Sequence, residues 1–414
     1  MRNNLGKIFI IVLAVLVVVA LVFSSKGASS LSITQKYLVP NTFNDVAPYG
    51  QNTIVFSNGR SFAKYNFISG QVSQISPDNL LPELNNIDSL SASANDQYLL
   101  FHDEASVSGT PLYNTLVQQG LNVNQDWWWI YNVSTKTFSV IPHTVLLAKI
   151  DGNQVDTLVS TNNGEEIVSY SVSSLAQDSS IPIINGSNFF RAANGFLLQT
   201  TDNEAFLTST GVVNNLLSKS IIVDGVSADG QSAYGVINSG GSSRLVKINL
   251  QNSSIKTLAS NVEGQAEVLL PNLLLYNTAG SGQTGPLAFN TYNLASSKKQ
   301  LWGFSYSVSG GNSISFTPTA LLGETATIAQ DSSSKVYLIG NGLAPIKSVP
   351  ANYKSTINVS GNSVNVSYSS VQTTFEAVLN SGQATAEQAA VYTQLNHDGY
   401  NPLFYNVQFS TTSQ

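Results

Sequence analysis

Apolar and polar positions alternate on a period of two through most of this chain, and residues that tolerate a positive φ interrupt the alternation at short intervals. That is the pattern of half-buried strands joined by hairpin turns. Residues 226–258 carry the unit in its fullest form. It opens with the turn Ala228-Asp229-Gly230, runs as a strand from Gln231 to Asn238 and breaks at Ser239-Gly240-Gly241-Ser242. Leu245, Lys247 and Asn249 then alternate with Val246, Ile248 and Leu250, before Gln251-Asn252-Ser253 turns the chain toward Ile255 and Leu258. Glycine and asparagine reach the left-handed region at little steric cost, so each cluster reads as a tight turn.

Seven copies of this four-stranded meander align between Tyr37 and Pro350. The first turns at Tyr49-Gly50-Gln51-Asn52, Asn58-Gly59-Arg60 and Ser69-Gly70-Gln71. The second joins QYLLFH to WWWIYNV and FSVI across a long interruption. The third uses Asp151-Gly152-Asn153 and Asn162-Asn163-Gly164; the fourth uses Asn194-Gly195, Asp202-Asn203 and Thr210-Gly211. Residues 226–258 are the fifth copy. The sixth sets LLLYN and LAFNTYNL on either side of a Gly-rich stretch, and the seventh takes residues 325–330, 335–339 and 343–349. A recurrence of about 35 to 56 residues lies among the periods of solenoids, propellers and arrays. Left open, such a meander would expose flat apolar edges, whereas radial packing leaves only short ones. The expected fold class is therefore mainly β: a seven-bladed β-propeller, with six or eight blades as alternatives, whose last blade is completed by a strand between Ile33 and Val39.

The run Ser-Ala-Asp229-Gly230, strand, LVKINL, turn and KTL resembles the repeat of periplasmic TolB-like and WD40-like β-propellers. A second match is Ser91-Ala92-Ser93-Ala94-Asn95-Asp96 running into QYLLF, with the later WIYNV. The usual proline before Asp-Gly is missing and no Trp-Asp pair closes a repeat. The resemblance covers most of residues 40–350 and implies a fold rather than a role, because propellers host binding, scaffolding and catalysis alike.

The first thirty residues break the alternation. From Ile8 to Phe23 there is no charged or polar side chain; as a helix this is about 24 Å long at ~1.5 Å per residue, and residues 5–25 reach the ~30 Å of a hydrocarbon core. A cleaved signal peptide needs small residues at its exit, which Ser25-Lys26-Gly27 supplies poorly, so the stretch is read as an uncleaved anchor in the lipid bilayer. Arg2 and Lys7 precede it, which places the N-terminus in the cytoplasm and the bulk of the chain outside the cell membrane. The expected domains are a cytoplasmic tail (1–7), an anchor (8–25), a tether (26–36), the propeller (37–350) and a C-terminal α+β domain (351–414). In the last, KSTINV and SVNVSY pair across Gly361-Asn362. Val371, Phe375, Val378 and Leu379 fall on one helical stripe, and a second helix opens at Thr385 with Gln388 three residues on and closes at Gly399. With LFYNVQF as a final strand the order reads β-β-α-α-β.

Composition removes several function classes. Charged residues are 10% of 414, the formal net charge is −6 and no basic run follows the N-terminus, so no nucleic-acid partner is expected. With no cysteine there is no disulfide, thiolate metal site or cysteine nucleophile. His102, His143 and His397 lie in different elements without a His or Glu at ligand spacing, so neither metal nor cofactor is expected. No serine sits in a G-x-S-x-G elbow. Glu165 and Glu166 are strand neighbours and point to opposite faces, and the turns at Asp151, Asp202 and Asp229 lack the spacing of a calcium loop. No catalytic residue is assigned.

What remains is geometric. The interruption from Asp103 to Asp126 occupies the second turn of its blade, and so does the Gly-rich stretch from Thr278 to Pro286; both decorate one rim, which Arg60 shares. Next to the interruption, Trp127, Trp129 and Tyr131 share one strand face, while Trp128 and Ile130 share the other. These rings either fill the space between blades or offer a face to a sugar or peptide. The candidate binding residues are Arg60, Asp103, Tyr113, Asp126, Trp127, Trp129 and Tyr131. The expected function is a protein- or polymer-binding scaffold that meets an envelope protein or polymer at the propeller rim. One alternative is a hydrolase or lyase acting on extracellular polysaccharide or peptide, which would gather acidic, basic or histidine side chains in the channel. Another is a small-ligand sensor with a closed pocket under the 103–126 loop.

Overall fold

The computed structural model describes residues 29–77, 87–103, 108–142, 144–183, 186–200, 205–209, 212–215, 221–227, 229–239, 242–270, 273–278, 288–293, 298–304, 316–322, 326–331, 333–380 and 384–411. Within them, antiparallel sheets follow one another along the chain, each strand paired with the next. Sheet 1 comprises Ala47–Pro48, Thr53–Ser57, Phe62–Asn66 and Val72–Gln74, and sheet 2 comprises Ile87–Ala92, Tyr98–Asp103, Trp127–Asn132 and Thr137–Val140. Sheet 3 contains Val145–Asp151, Gln154–Thr161, Gly164–Ser171 and Gln177–Ile183. Sheet 4 runs from Gly186–Ala192 to Val212–Asn215, sheet 5 from Ile221–Val226 to Ile255–Ser260, and sheet 6 from Val262–Leu270 to Lys298–Phe304. Sheet 7 takes Phe316–Leu321, Ala326–Asp331 and Val336–Gly340.

The core lies in the seams between sheets. Leu99 and Phe101 pack toward sheet 1, while Leu100 between them packs toward sheet 3. A strand's side chains alternate, so a sheet covered on both faces can bury consecutive residues; Leu99, Leu100 and Phe101 are all 0% exposed. The same interleaving joins sheets 3 and 4 through Leu158 and Phe189, sheets 4 and 5 through Leu197 and Val246, and sheets 5 and 6 through Tyr234 and Tyr276. First strands of neighbouring sheets touch, as Ala47–Pro48 does Ile87–Ala92, and Ile221–Val226 does Val262–Leu270. This is the arrangement of a β-propeller, with the first strands innermost.

Sheet 7 receives its fourth strand from the other end of the chain. Gln35–Leu38 lies antiparallel to Val336–Gly340, with Lys36 opposite Ile339 and Leu38 opposite Tyr337. The strand expected over 343–349 does not form; Pro345 has no amide hydrogen to give a ladder there. Just upstream, Ser29–Ile33 joins sheet 6 as a fifth strand, parallel to Lys298–Phe304. Residues expected to be a tether thus clasp two adjacent sheets.

The insertion in sheet 2 carries helix α1, Pro111–Gln119, with Pro at its start and Gly120 as a left-handed C-cap at φ 69°. Its Leu112 and Leu116 are buried in the seam between sheets 1 and 2. At the C-terminus, Lys354–Val359, Asn362–Ser369, Thr374–Leu379 and Asn406–Thr411 form one sheet, covered by helix α2, Ala384–His397. The helix expected around Phe375 is instead a strand: Phe375, Ala377 and Leu379 are buried, whereas Glu376 and Val378 are exposed, a period of two. The order is β-β-β-α-β, and Gly399 takes the expected left-handed conformation after α2. One continuous core joins this sheet to the ring's closing seam: Phe375, Val391 and Phe404 pack with Phe56 and Tyr65 of sheet 1 and with Ile328 and Leu338 of sheet 7.

The single-pass membrane location expected from the sequence is corrected. Among the described residues no helix is long and apolar enough to cross a membrane. The longer of α1 and α2 has 14 residues, about 21 Å at ~1.5 Å per residue against a ~30 Å hydrocarbon core. Ile8 to Phe23, the proposed contact with the bilayer, lies outside the described residues, as do His143, Asp202 and most of the stretch from Thr278 to Pro286.

Adjacent sheets approach closely at Gly230, where φ is +67° and an added Cβ would stand 2.2 Å from the Ala193 nitrogen. Gly342 has φ +69° but open space around it. Gly230→Ala should therefore lose ~2–4 kcal/mol in urea unfolding and Gly342→Ala only ~1 kcal/mol; equal losses would mean that the approach of sheets 4 and 5 is not what constrains Gly230.

Candidate functional site

The first hairpin turns of sheets 1, 2 and 3 meet at one end of the channel, and short side chains fix their shape. In sheet 2, Ser93 Oγ accepts the Tyr98 amide at 3.0 Å, and Asp96 takes φ 58°. In sheet 5, Ser227 Oγ accepts the Ser232 amide at 3.0 Å, and Gly230 takes φ 67°. The two turns that carry the family resemblance thus share one geometry: a serine closes the turn and the residue three further on is left-handed. Third strands repeat a second device. Asn66, Asn132 and Asn249 each accept two amides from the turn that follows, at 2.9 to 3.2 Å, as Asx turns do.

At this end the inner strands border an open cavity of about 560 Å³. Pro48, Ser91, Ala92, Ser93, Ala94 and Ile150 contribute to its wall, and Asp96 and Asp151 stand at its edge. Small side chains there leave room for a ligand's backbone or ring to approach the strands. Tyr49 beside it donates to the Asp96 carbonyl at 2.9 Å. Burial, and then the Asp96 carboxylate, raise the Tyr49 hydroxyl above its ordinary pKa, so it stays a donor.

Behind Asp151 lies a polar lock between sheets 3 and 4. Arg191 donates through Nε to Asp156 Oδ2 at 2.8 Å and through its Nη2 to the other oxygen, and its Nε is 3.8 Å from Asp151. Asp156 is 1% exposed and also accepts from Ser169 Oγ at 2.7 Å. A buried carboxylate persists only with such compensation. Directly opposite Asp156 in register, Lys149 donates to Asn188 Oδ1 at 2.7 Å and to the Phe189 carbonyl at 2.6 Å, and lies 3.9 Å over the Phe190 ring. Desolvation pushes its ammonium down to about 7.

The residues singled out from the sequence do not form one site. Trp127, Trp129 and Tyr131 face the seam between sheets 1 and 2 and are 7%, 0% and 0% exposed. Trp127 Nε1 donates to the Asn122 carbonyl at 2.9 Å, Trp129 stacks on Phe101 and Tyr131 donates to the Ile75 carbonyl at 3.0 Å. Trp128 faces sheet 3 instead, beside His102, whose Nδ1 is 2.7 Å from Asp88. Asp103 is buried opposite Trp127, Tyr113 is half-buried on α1 and Asp126 is exposed. Arg60 lies away from all of them, 8% exposed under the C-terminal domain, with its guanidinium 4.2 Å over Tyr392 of α2 and 5.8 Å from Phe409. The insertion rim and the cavity occupy opposite ends of the channel, since one follows second turns and the other first turns. Among the described residues no three His, Asp or Glu side chains gather to hold a metal ion.

Sequence reasoning missed Lys149, Asp156 and Arg191 as a group. The one available signal was that three charges fall on strands otherwise rich in apolar residues, two of them adjacent across a hairpin.

No protein-family model matches this chain, and no curated protein matches it. Solved structures do. An acylaminoacyl peptidase from Pyrococcus horikoshii is 8% identical over 80% of this chain and 57% of its own, with a TM-score of 0.47. An oligogalacturonate lyase from Vibrio parahaemolyticus is 9% identical over 75% and 97%, with a TM-score of 0.45. A chain of the mitotic checkpoint complex is 10% identical over 74% and 94%, with a TM-score of 0.44. Enzymes stand among these structures, and a scaffold role gains no support from them. Likenesses this distant follow the sheet pattern and decide nothing about chemistry. The resemblance to TolB-like and WD40-like repeats therefore stands at the level of the propeller, and nothing singles out the TolB-like branch.

The Lys149 shift fixes a pH dependence. Its folded pKa of about 7 lies below the ordinary lysine value of 10.5, so the unfolded chain binds the proton more tightly. The stability this group contributes is full above the unfolded value and is lost as pH falls toward 7. Thermal melts of wild type and Lys149→Met should thus diverge in the wild type's favour as pH rises from about 7 to about 10; a difference in Tm that stays flat would contradict the buried, desolvated amine.

Proposed function

We propose that residues 37–350 form a closed seven-bladed propeller carrying an α+β domain, residues 351–414, on its closing seam, and that the protein binds an extended polymer, glycan or peptide, at the channel mouth. The observation that carries this reading is the cavity of about 560 Å³ over the inner strands of the first three blades, a size within the ~300–1,000 Å³ of small-ligand sites. Its wall is serine, alanine and aliphatic surface rather than a convergence of acids, bases and histidines, which favours holding a ligand over transforming it. Asp96 and Asp151 at the edge add acceptors for hydroxyl or amide hydrogens.

A second reading, a hydrolase or lyase, is favoured by one observation. Lys149 sits on an inner strand, and with a pKa of about 7 it is a base at neutral pH. On that reading Lys149, which does not border the cavity, must release Asn188 and the Phe189 carbonyl before it takes a proton from bound polymer.

A glycan array and a displayed-peptide library, each probed with wild type and Ala94→Trp, separate these readings from their failure. Ala94 is exposed at the cavity wall, so the new ring fills the mouth without entering a seam. Ligands of the wild type should lose about tenfold or more in affinity; ligands held equally by both proteins would rule the mouth out. If a captured polymer is also cleaved, and Lys149→Met abolishes cleavage but not binding, the second reading takes precedence.

A further inference from the structure

A second cavity, of about 320 Å³, opens beside the channel mouth between the first two sheets. Tyr49, Thr53, Lys64, Gln71, Ser73 and Asp96 contribute to its lining, and Gly50 and Asp96 belong to both cavities. The elements that build it are rigid: Lys64 and Ser73 are a register pair on adjacent strands, and Asp96 is held in its left-handed turn by the Ser93 carbonyl at 2.9 Å.

The lining has a definite chemistry. Among the described residues, Lys64 Nζ, the Gln71 side-chain amide, the Ser73 hydroxyl and the Asp96 carboxylate make no hydrogen bond and no ion pair. The Lys64 ammonium is 5.9 Å from the centre of the Tyr49 ring. One cation and one anion, held apart, suit neither a polyanion nor a polycation. A ligand that satisfies both must accept from Lys64 and donate to Asp96, and the amide and hydroxyl groups between them ask for the same double capacity. Sugar hydroxyls have it at every position, and the Tyr49 ring supplies an apolar wall for the C–H face of a pyranose. Apart from that ring and short aliphatic stems the wall is polar, which disfavours an apolar peptide side chain.

We propose that this groove is a subsite for a neutral, hydroxyl-rich oligosaccharide, whose chain continues into the channel mouth past Gly50 and Asp96. The proposal rests on the mouth as a polymer site and names the polymer.

Isothermal titration with cellohexaose, xylohexaose, mannohexaose, maltohexaose and chitohexaose tests it, with hexagalacturonate and free glycine as comparison ligands. Lys64 is half-buried and Gln71 exposed, and unchanged melting curves of Lys64→Met and Gln71→Ala confirm that both fold. At least one neutral oligosaccharide should bind, and each substitution should weaken it about tenfold, as loss of one hydrogen bond with a charged or well-aligned partner does. Three results overturn the proposal: no neutral oligosaccharide binds; hexagalacturonate or glycine binds more tightly than every neutral sugar; or a neutral sugar binds with affinity that Lys64→Met and Gln71→Ala leave unchanged. In that last case, loss of the sugar in Ala94→Trp would leave the channel mouth standing and remove only the groove. Peptide binding lost in Ala94→Trp, with no sugar bound, would do the same.

Discussion

Everything in this fold depends on one short ladder, Gln35–Leu38 against Val336–Gly340. Each sheet hides its apolar faces only because a neighbour stands on either side, so a ring with one open seam would expose Phe56 and Tyr65 on one flank and Ile328 and Leu338 on the other. Backbone pairing across more than three hundred residues removes that seam. The entropy of bringing such distant segments together grows only logarithmically with their separation. Burial of the aromatic cluster around Phe43, Phe56, Tyr65 and Phe404, with ring centres 4.6 to 6.2 Å apart, offsets it. The C-terminal domain adds to the same core and packs Tyr392 against Arg60, so the first sheet, the seventh sheet and the C-terminal domain meet at one place.

The same principle explains what became of the aromatic row. A strand with a covered face on each side needs large side chains at consecutive positions, and Trp127, Trp128, Trp129, Ile130 and Tyr131 supply them to two seams at once. A run that reads as an exposed platform in a one-sided sheet is core in a propeller. Between sheets 3 and 4 the buried polar residues Asp156, Arg191 and Ser169 satisfy each other. Open polar valences, by contrast, collect beside the first turns, where Lys64 and Asp96 border the smaller cavity.

Much of the fold was legible because its signals are local. The turns at Asn95-Asp96 and Asp229-Gly230 and the left-handed Gly399 follow from which residues tolerate positive φ, and the hairpin expected at Gly361-Asn362 turns one residue earlier, at Ser360-Gly361, with φ 48° and 88°. Alternation located strands such as Thr53–Ser57 and Asn406–Thr411, and the completing strand near the N-terminus followed from the need to close the ring. Errors arose where two periods compete over a short run. Val371, Phe375, Val378 and Leu379 fit a helical stripe, yet pairing with Asn362–Ser369 on one side and Asn406–Thr411 on the other makes residues 374–379 a strand. Helix α1 reads as loop in the sequence although Pro111 and Gly120 bracket it, because the surrounding Asn and Gln residues mask its two buried leucines. The candidate site was hardly legible at all. Its cavity is assembled from Pro48, Ser91 to Ala94 and Ile150, small residues with no signature of their own, brought together only by the convergence of three inner strands. The recurring Asn66, Asn132 and Asn249 were visible in YNF, YNV and INL, but their meaning required the turn that each one caps.

The absence of cysteine makes the closing ladder directly measurable. Leu38 and Tyr337 are opposed in register and both half-buried, a cross-strand placement that suits the ~5.5 Å between Cα atoms that a disulfide spans. In a chain carrying Leu38→Cys and Tyr337→Cys, mild oxidation followed by mass spectrometry of proteolytic fragments should find these two thiols joined within the monomer, in protein that keeps its native circular dichroism. Free thiols, or a disulfide formed only between molecules, would show that the N-terminal segment does not close the ring.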